Sequence, residues 1–443
     1  MILPNDFIDE LKIVLGDDTD KYITLFEEAP FRGISVNRLK TTPEQLFSML
    51  PFEPEQSPFY SDSFYLPENA ENIGQMPLHH AGAFYVQEPS AASAVSLLDI
   101  HNGDIVLDLC AAPGGKTSQI ASMLGGSGLI WSNEVVKSRA SILLSNSERM
   151  GITHGVISSC DPEVLCSRLS GYFDKVLVDA PCSGEGMFRK NHSAISEWSR
   201  EHALACADRQ LAILDSAAKA LKCGGTMVYS TCTFNYDENE GVVKRFLECH
   251  GDFEPLEISH TAARKAFVGN GIRITPVEGG EGHFAAVFRK NGDSDTNIKY
   301  YKYPLINKEQ KKLVQKFIED IFVVSPELVP VIIGDKLYLM PDGLPDMGRL
   351  GVIRSGIFAG TVTKNRIDPE HALFSCAKPE QLCRVLDLPP DDQRISDFLR
   401  GFEIDCDGSG YTGVAVGGIM LGFGKCSGGR LKNKYPKGLR KNS

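Results

Sequence analysis

Between residues 91 and about 290, apolar β-rich runs alternate with helical runs, and nothing else in the sequence restricts the fold so tightly. Ile105 to Leu109, Leu129 to Ser132, Gly155 to Ser159, Lys175 to Val178 and Thr226 to Ser230 read as short strands. Thr117 to Met123, Lys137 to Met150 and Ala203 to Leu221 carry helical patterns between them. This alternation predicts βαβ units and an α/β, Rossmann-like parallel sheet covered on both faces. In such a sheet, ligands bind beyond the carboxyl ends of the strands.

The flanking regions differ from this core. At roughly 150 residues per domain, the chain suggests two or three domains. Residues 1–90 start with a short helix and continue through Pro-rich connections (Pro51, Pro54, Pro58, Pro67, Pro77), as expected of a separate α/β module before the core at 91–290. Lys290 to Asn297 is polar and reads as a linker. Residues 298–373 carry short strands, among them Val329 to Ile333 and Lys336 to Leu339, and residues 374–443 form a last unit with a Gly-rich strand ending. With 42% hydrophobic and 23% charged residues, a disordered or fibrous chain is excluded. The acidic N-terminus does not resemble a secretory signal. The nearest candidate for a membrane span, Tyr411 to Gly424, is short and broken by five glycines. Twelve cysteines, none at CxxC spacing, suggest reduced thiols in a cytoplasmic protein without a metal site. The net charge of −11 argues against nonspecific nucleic-acid binding, but the distribution is uneven. Lys425 to Ser443 holds seven Lys/Arg and no acid, and Lys299 to Lys316 holds six Lys and one Glu, patterns that also suit a solvated face or tail.

The expected strand ends are chemically distinctive. The first is followed by Cys110-Ala111-Ala112-Pro113-Gly114-Gly115-Lys116-Thr117, where small residues let backbone approach a ligand. The second leads to Glu134, placed as an acceptor for ribose hydroxyls. The third leads to Asp161, the fourth ends in Asp179-Ala-Pro-Cys182-Ser-Gly184, and the fifth ends in Ser230-Thr-Cys232. Taken singly, an acid at a strand end is more often a helix cap and a Cys more often an inert core residue. Five such ends in register are harder to dismiss.

Two cofactor readings compete. Cys110 to Thr117 approaches the phosphate-binding pattern GxxxxGK[ST], which would suggest an NTPase. Cys110 replaces the first glycine, however, and Pro113 removes an amide donor. An adenosyl cofactor without a polyphosphate, S-adenosylmethionine, makes use of the Gly-rich turn, Glu134 and a further acid. A thiol beside a methyl donor suggests methylation of an unreactive carbon such as cytosine C5: a thiolate adding to C6 makes C5 nucleophilic. Either Cys182, which follows a Pro, or Cys232 suits that role, with Asp179 at the base edge and Lys116 able to lower a nearby thiol pKa.

Cys110-Ala-Ala-Pro-Gly-Gly-Lys-Thr117, Asp179-Ala-Pro-Cys-Ser-Gly-Glu-Gly186, Ser230-Thr-Cys-Thr233 and Tyr85-Val-Gln-Glu-Pro-Ser-Ala91 together resemble the Sun/Nop2-type RNA 5-methylcytosine methyltransferases. Gly422-Phe-Gly-Lys425 and Leu431 to Arg440 are similar to that family's RsmF-like branch, which acts on 16S ribosomal RNA. The resemblance implies Cys232 as nucleophile, Cys182 as the cysteine assisting release, Asp179 at the target base and Lys116 nearby. It implies cofactor contacts from Cys110, Ala111, Ala112, Pro113, Gly114, Gly115, Lys116, Glu134, Asp161 and Asp179. It further implies a C-terminal PUA-like RNA-binding domain, ribosomal RNA of the small subunit or its assembly intermediate as partner, no membrane association, and a monomer. Two departures stand out: Cys160 where Asn or His often precedes the acid, and Phe423 in place of a Trp. A noncatalytic ribosome-assembly factor on the same fold is the alternative.

Overall fold

A computed structural model describes residues 3–293 and 298–441. Residues 294–297 of the expected linker and the last two residues of the basic tail lie outside the described residues.

Among the described residues, ten strands form one sheet. In chain order these are β1 (Ile105–Asp108), β2 (Leu129–Asn133), β3 (Gly155–Ser158), β4 (Phe173–Asp179), β5 (Leu221–Thr231), β6 (Phe253–Leu256), β7 (Arg264–Lys265), β8 (Ile272–Ile274), β9 (His283–Lys290) and β10 (Val352–Ser355). The order across the sheet is β7-β8-β9-β5-β4-β1-β2-β3-β10, with β6 also pairing β9. The five strands β3, β2, β1, β4 and β5 are mutually parallel. Successive strands run outward from β1 in opposite directions, so the crevice between β1 and β4 is the switch point where a ligand site is expected.

Apolar residues explain this layering. Leu107, Val176, Val178, Met227 and Tyr229 belong to one core, while Val106, Leu177 and Val228 belong to another on the opposite face. Each strand is therefore buried on both sides and shows no polar alternation. The helices covering the sheet include α1 (Gly115–Leu124), α2 (Lys137–Met150), α3 (Pro162–Arg168) and α4 (Arg200–Ala220).

Differences from the sequence reading have local causes. β5 begins at Leu221, which closes the expected helix, and it carries Gly224 and Gly225 inside the strand. Pairing with both β4 and β9 sustains its length. Lys290, expected in the linker, closes β9 opposite Phe253. β10 lies in the region expected as a separate C-terminal unit, yet it pairs antiparallel with β3 of the core, and Arg354 donates to Glu148 at 2.6 Å.

Before the core, helices at Asn5–Leu15 and Thr19–Phe26 accompany a four-stranded antiparallel sheet that includes Gly33–Val36 and Phe84–Val86. The first helix buries Phe7, Leu11, Val14 and Leu15, spaced three to four residues apart. They pack with Phe188, Trp198 and Phe234, next to the loops that follow β4 and β5. The C-terminal five-stranded sheet shares a core with the N-terminal sheet: Ile34, Val36 and Phe64 pack with Phe398, Val414 and Leu421. Phe423, the departure noted above, is buried and stacks on Phe374 with centroids 4.4 Å apart. No described helix is long and apolar enough to cross a membrane.

Candidate active site

A cavity of about 720 Å³ opens beyond the carboxyl ends of β1 to β5. It brings together Cys110, Ala112, Glu134, Asp161, Asp179, Cys182 and Cys232. Ala111, Pro113, Gly114, Gly115 and Lys116 do not line it. They form the turn behind it, which leads from β1 into α1. Gly114 has φ +113°, a conformation that favours glycine, whereas a side chain at Gly115 would meet Gln87 Oε1 at 2.5 Å and displace the end of that side chain.

The acids fall into distinct environments. Glu134 is buried, accepting from Val136 N–H at 2.9 Å, with Arg139 Nη1 at 3.2 Å. Asp161 caps α3, its Oδ1 accepting from the Glu163 and Val164 N–H groups. The ordinary helix-cap role thus holds for this residue, although it also faces the cavity. Asp179 accepts from Lys116 Nζ and from Ser230 Oγ, each at 2.7 Å. Burial opposes the charge on Lys116, but the Asp179 carboxylate outweighs it and holds the ammonium above the usual lysine value. Under this pair, burial pushes the Asp108 carboxyl up to about 7, although Thr117 donates to it at 2.7 Å.

The two sulfurs nearly touch, with Cys182 Sγ 3.1 Å from Cys232 Sγ. The hydrogen bond between them, together with burial, raises the Cys182 thiol well above its ordinary pKa, so it keeps its proton. Two buried glutamates fix this arrangement. Glu185 accepts from Trp198 Nε1 and from the Phe234 and Asn235 N–H groups. Glu238 accepts from Ser183 N–H and Gln210 Nε2. The loops after β4 and β5 are thereby locked together. Sequence reasoning passed over Glu238, Arg139 and the Val135–Val136 pair. The only signal was their place just beyond strand ends.

The donor set decides between the two cofactors. Four carboxylates (Glu134, Asp161, Glu163 and Asp179) line the cavity against two arginines (Arg139 and Arg209), and Lys116 is already engaged by Asp179, so a polyphosphate would meet an excess of like charge. Val135 and Val136 are 56% and 45% exposed beside the buried Glu134, an apolar surface with a hydroxyl acceptor. These residues fit an adenosyl group rather than a triphosphate.

Comparison with known proteins agrees. Residues 95–289 match the model of 16S rRNA methyltransferase RsmB/F. Residues 3–89, 316–376 and 385–441 match the N-terminal domain, first C-terminal domain and PUA domain of RsmF. Ribosomal RNA small subunit methyltransferase F of Vibrio vulnificus (strain YJ016) is 32% identical over 459 residues, covering 99% of this chain and 97% of its own. The chain belongs to the ribosomal RNA small subunit methyltransferase F family. The Shewanella sp. (strain MR-7) member is 32% identical, covering 95% of this chain and 93% of its own. Among solved structures, a methyltransferase homologue from Pyrococcus horikoshii is 28% identical with a TM-score of 0.58, covering 65% of this chain and 95% of its own. NSun6 from the same organism, at 22% identity and a TM-score of 0.59, shares the fold over 66% of this chain and 99% of its own. A member of this family is a methyltransferase acting on ribosomal RNA, and its cofactor is S-adenosylmethionine.

Proposed function

We propose that the chain methylates C5 of cytosine in 16S ribosomal RNA through a transient bond between Cys232 and C6 of the base. One observation carries this reading: two thiols from neighbouring strand ends lie 3.1 Å apart in the same cavity as Asp179. Cys232 adds to C6, which converts the ring to an enamine and makes C5 nucleophilic. Asp179 holds the N3/N4 edge, and Lys116 balances its charge. Cys182, which retains its proton, hydrogen bonds to the departing sulfur and so assists release. S-adenosylmethionine, held by Cys110 and Ala112 on the cavity side of the turn after β1 together with Glu134 and Asp161, would supply an electrophilic methyl group. The target base must leave its stack to reach the cavity, and the basic C-terminal region binds the RNA around it.

The test is adduct trapping with ribosomal RNA. Cys182→Ala is expected to leave a covalent protein–RNA adduct that survives denaturing electrophoresis. Cys232→Ala is expected to leave none and to lose methyl transfer by more than about 10³-fold. Adduct in Cys232→Ala and none in Cys182→Ala would exchange the two roles. Unchanged cytosine methylation in a deletion strain, read by bisulfite sequencing, would favour the assembly-factor alternative.

A further inference from the structure

Just past the end of the β9–β5 ladder, where Cys232 also lies, is a buried histidine that the mechanism above does not use. The β9–β5 ladder pairs Ala285 with Ser230 and Phe284 with Thr231, so His283 and Cys232 are the residues just beyond its last pair. Side chains two apart share a face of a strand. His283 therefore continues the face of Ala285, and Cys232 that of Ser230, whose hydroxyl reaches Asp179. Two lysines are near both residues: Lys116 at the start of α1 and Lys190 in the loop after β4.

Hydrogen bonding selects the tautomer. Glu88 caps the 3₁₀ turn at Pro89–Ala92, accepting from Ser90 N–H at 2.9 Å and Ala91 N–H at 3.1 Å. Ser90 Oγ is 2.6 Å from Glu88 Oε2 and 2.8 Å from His283 Nδ1. A carboxylate can only accept, so the hydroxyl proton goes to Glu88, and Oγ accepts from Nδ1–H. Nε2 is then left with a lone pair. The side chain is 11% exposed, and its Nδ1 edge is the bonded one. The groups around it are Glu88, Lys116 with Asp179, and Lys190, which in turn lies near Arg189 and Glu281. Burial and the two ammonium groups hold the imidazole well below its ordinary pKa, so it rests neutral.

We propose, on the covalent reading above, that His283 is a further catalytic residue: its Nε2 takes the thiol proton of Cys232 as sulfur adds to the pyrimidine. The S–H bond breaks and an Nε2–H bond forms. The sulfur pair makes the S–C6 bond, and the C5=C6 pair moves onto C5 and the conjugated ring. Once the C5 pair has bonded the methyl group, the C5 proton passes to solvent, its electron pair re-forms C5=C6, the C6–S pair returns to sulfur, and Nε2 gives its proton back. Glu88, acting through Ser90, is a positioning residue that offsets the transient imidazolium charge.

The experiment uses the full chain and two readouts: the rate of iodoacetamide alkylation of the Cys232 peptide by mass spectrometry, and steady-state methyl transfer to ribosomal RNA, both from pH 6 to 9. His283→Gln is expected to slow alkylation at pH 7 by about tenfold or more and to lower kcat by about 10²-fold with KM unchanged, both deficits shrinking toward pH 9. Ser90→Ala should move both in the same direction by less. Native alkylation and kcat profiles in folded His283→Gln would overturn the proposal. If that variant does not fold, native profiles in Ser90→Ala overturn it instead. Methyl transfer persisting in Cys232→Ala would sink the covalent route itself. An inactive Cys232→Ala with an unaffected His283→Gln sinks only the role of His283.

Discussion

The two walls that meet at Cys232 are built in different ways. One wall, with Cys110, Glu134 and Asp161, comes from successive strand-to-helix turns, each made by a few contiguous residues. The other brings Ser90, Lys116, Lys190 and His283 together from four separate segments, with Ser90 bonded to His283 and Lys116 to Asp179. A wall made of local turns can be read from spacing. A wall made of long-range contacts exists only once the chain has folded.

That difference can be put under strain. The largest expected effect is on the floor beneath both walls. Asp108, buried near Asp179, Lys116 and Glu134, holds its proton to about pH 7, whereas in an unfolded chain it ionises from its ordinary value of 3.8. Between those values the folded state binds more protons. Stability from this group therefore falls as pH rises from about 4 to about 7, by on the order of 4 kcal/mol, and then levels off. Urea unfolding at pH 5 and pH 8 should show a steeper decline in the native chain than in Asp108→Asn, where Glu10 and Glu281, both raised to about 7, still contribute. Equal slopes would mean that the floor is hydrated.

A smaller effect separates the walls. Glu134→Ala is expected to weaken S-adenosylmethionine binding by about 10- to 100-fold, as for hydrogen bonds to a charged group. Calorimetry would measure it, and kcat at saturating cofactor should change little. A large fall in kcat with unchanged affinity would place Glu134 on the chemical side instead. The smallest effect lies far from both walls. Lys432, on the last strand of the C-terminal sheet, and Lys434, just beyond it, are exposed. Replacing either with Ala should weaken RNA binding a few-fold and lower the salt slope by about 0.7, measured by filter binding across a salt series.

Legibility followed the same division. The five parallel strands fell within a few residues of their expected places, except at the start of β5, because strands buried on both faces are continuous apolar runs bounded by turns. Cys232, Cys182 and Asp179 were visible because each sits at such a boundary. Their proximity could be read only on the condition that β4 and β5 are neighbours, which the pairing of the two strands meets. His283 gave no signal at all: a lone histidine opening an apolar strand looks like core. Asp161 was legible in position but carries a second duty as a helix cap, which the sequence suggested as the commoner case. β10 was missed because an edge strand supplied from nearly 200 residues downstream of β3 leaves no local trace.

That borrowed strand has a consequence for how the protein comes into being. Until Val352–Ser355 leaves the ribosome, β3 offers a bare row of amide and carbonyl groups to any extended segment nearby. A nascent chain stalled near residue 300 would already hold every thiol and carboxylate of the reaction centre and still be sticky along one flank. Cutting the chain there to obtain a minimal enzyme would make that transient hazard permanent.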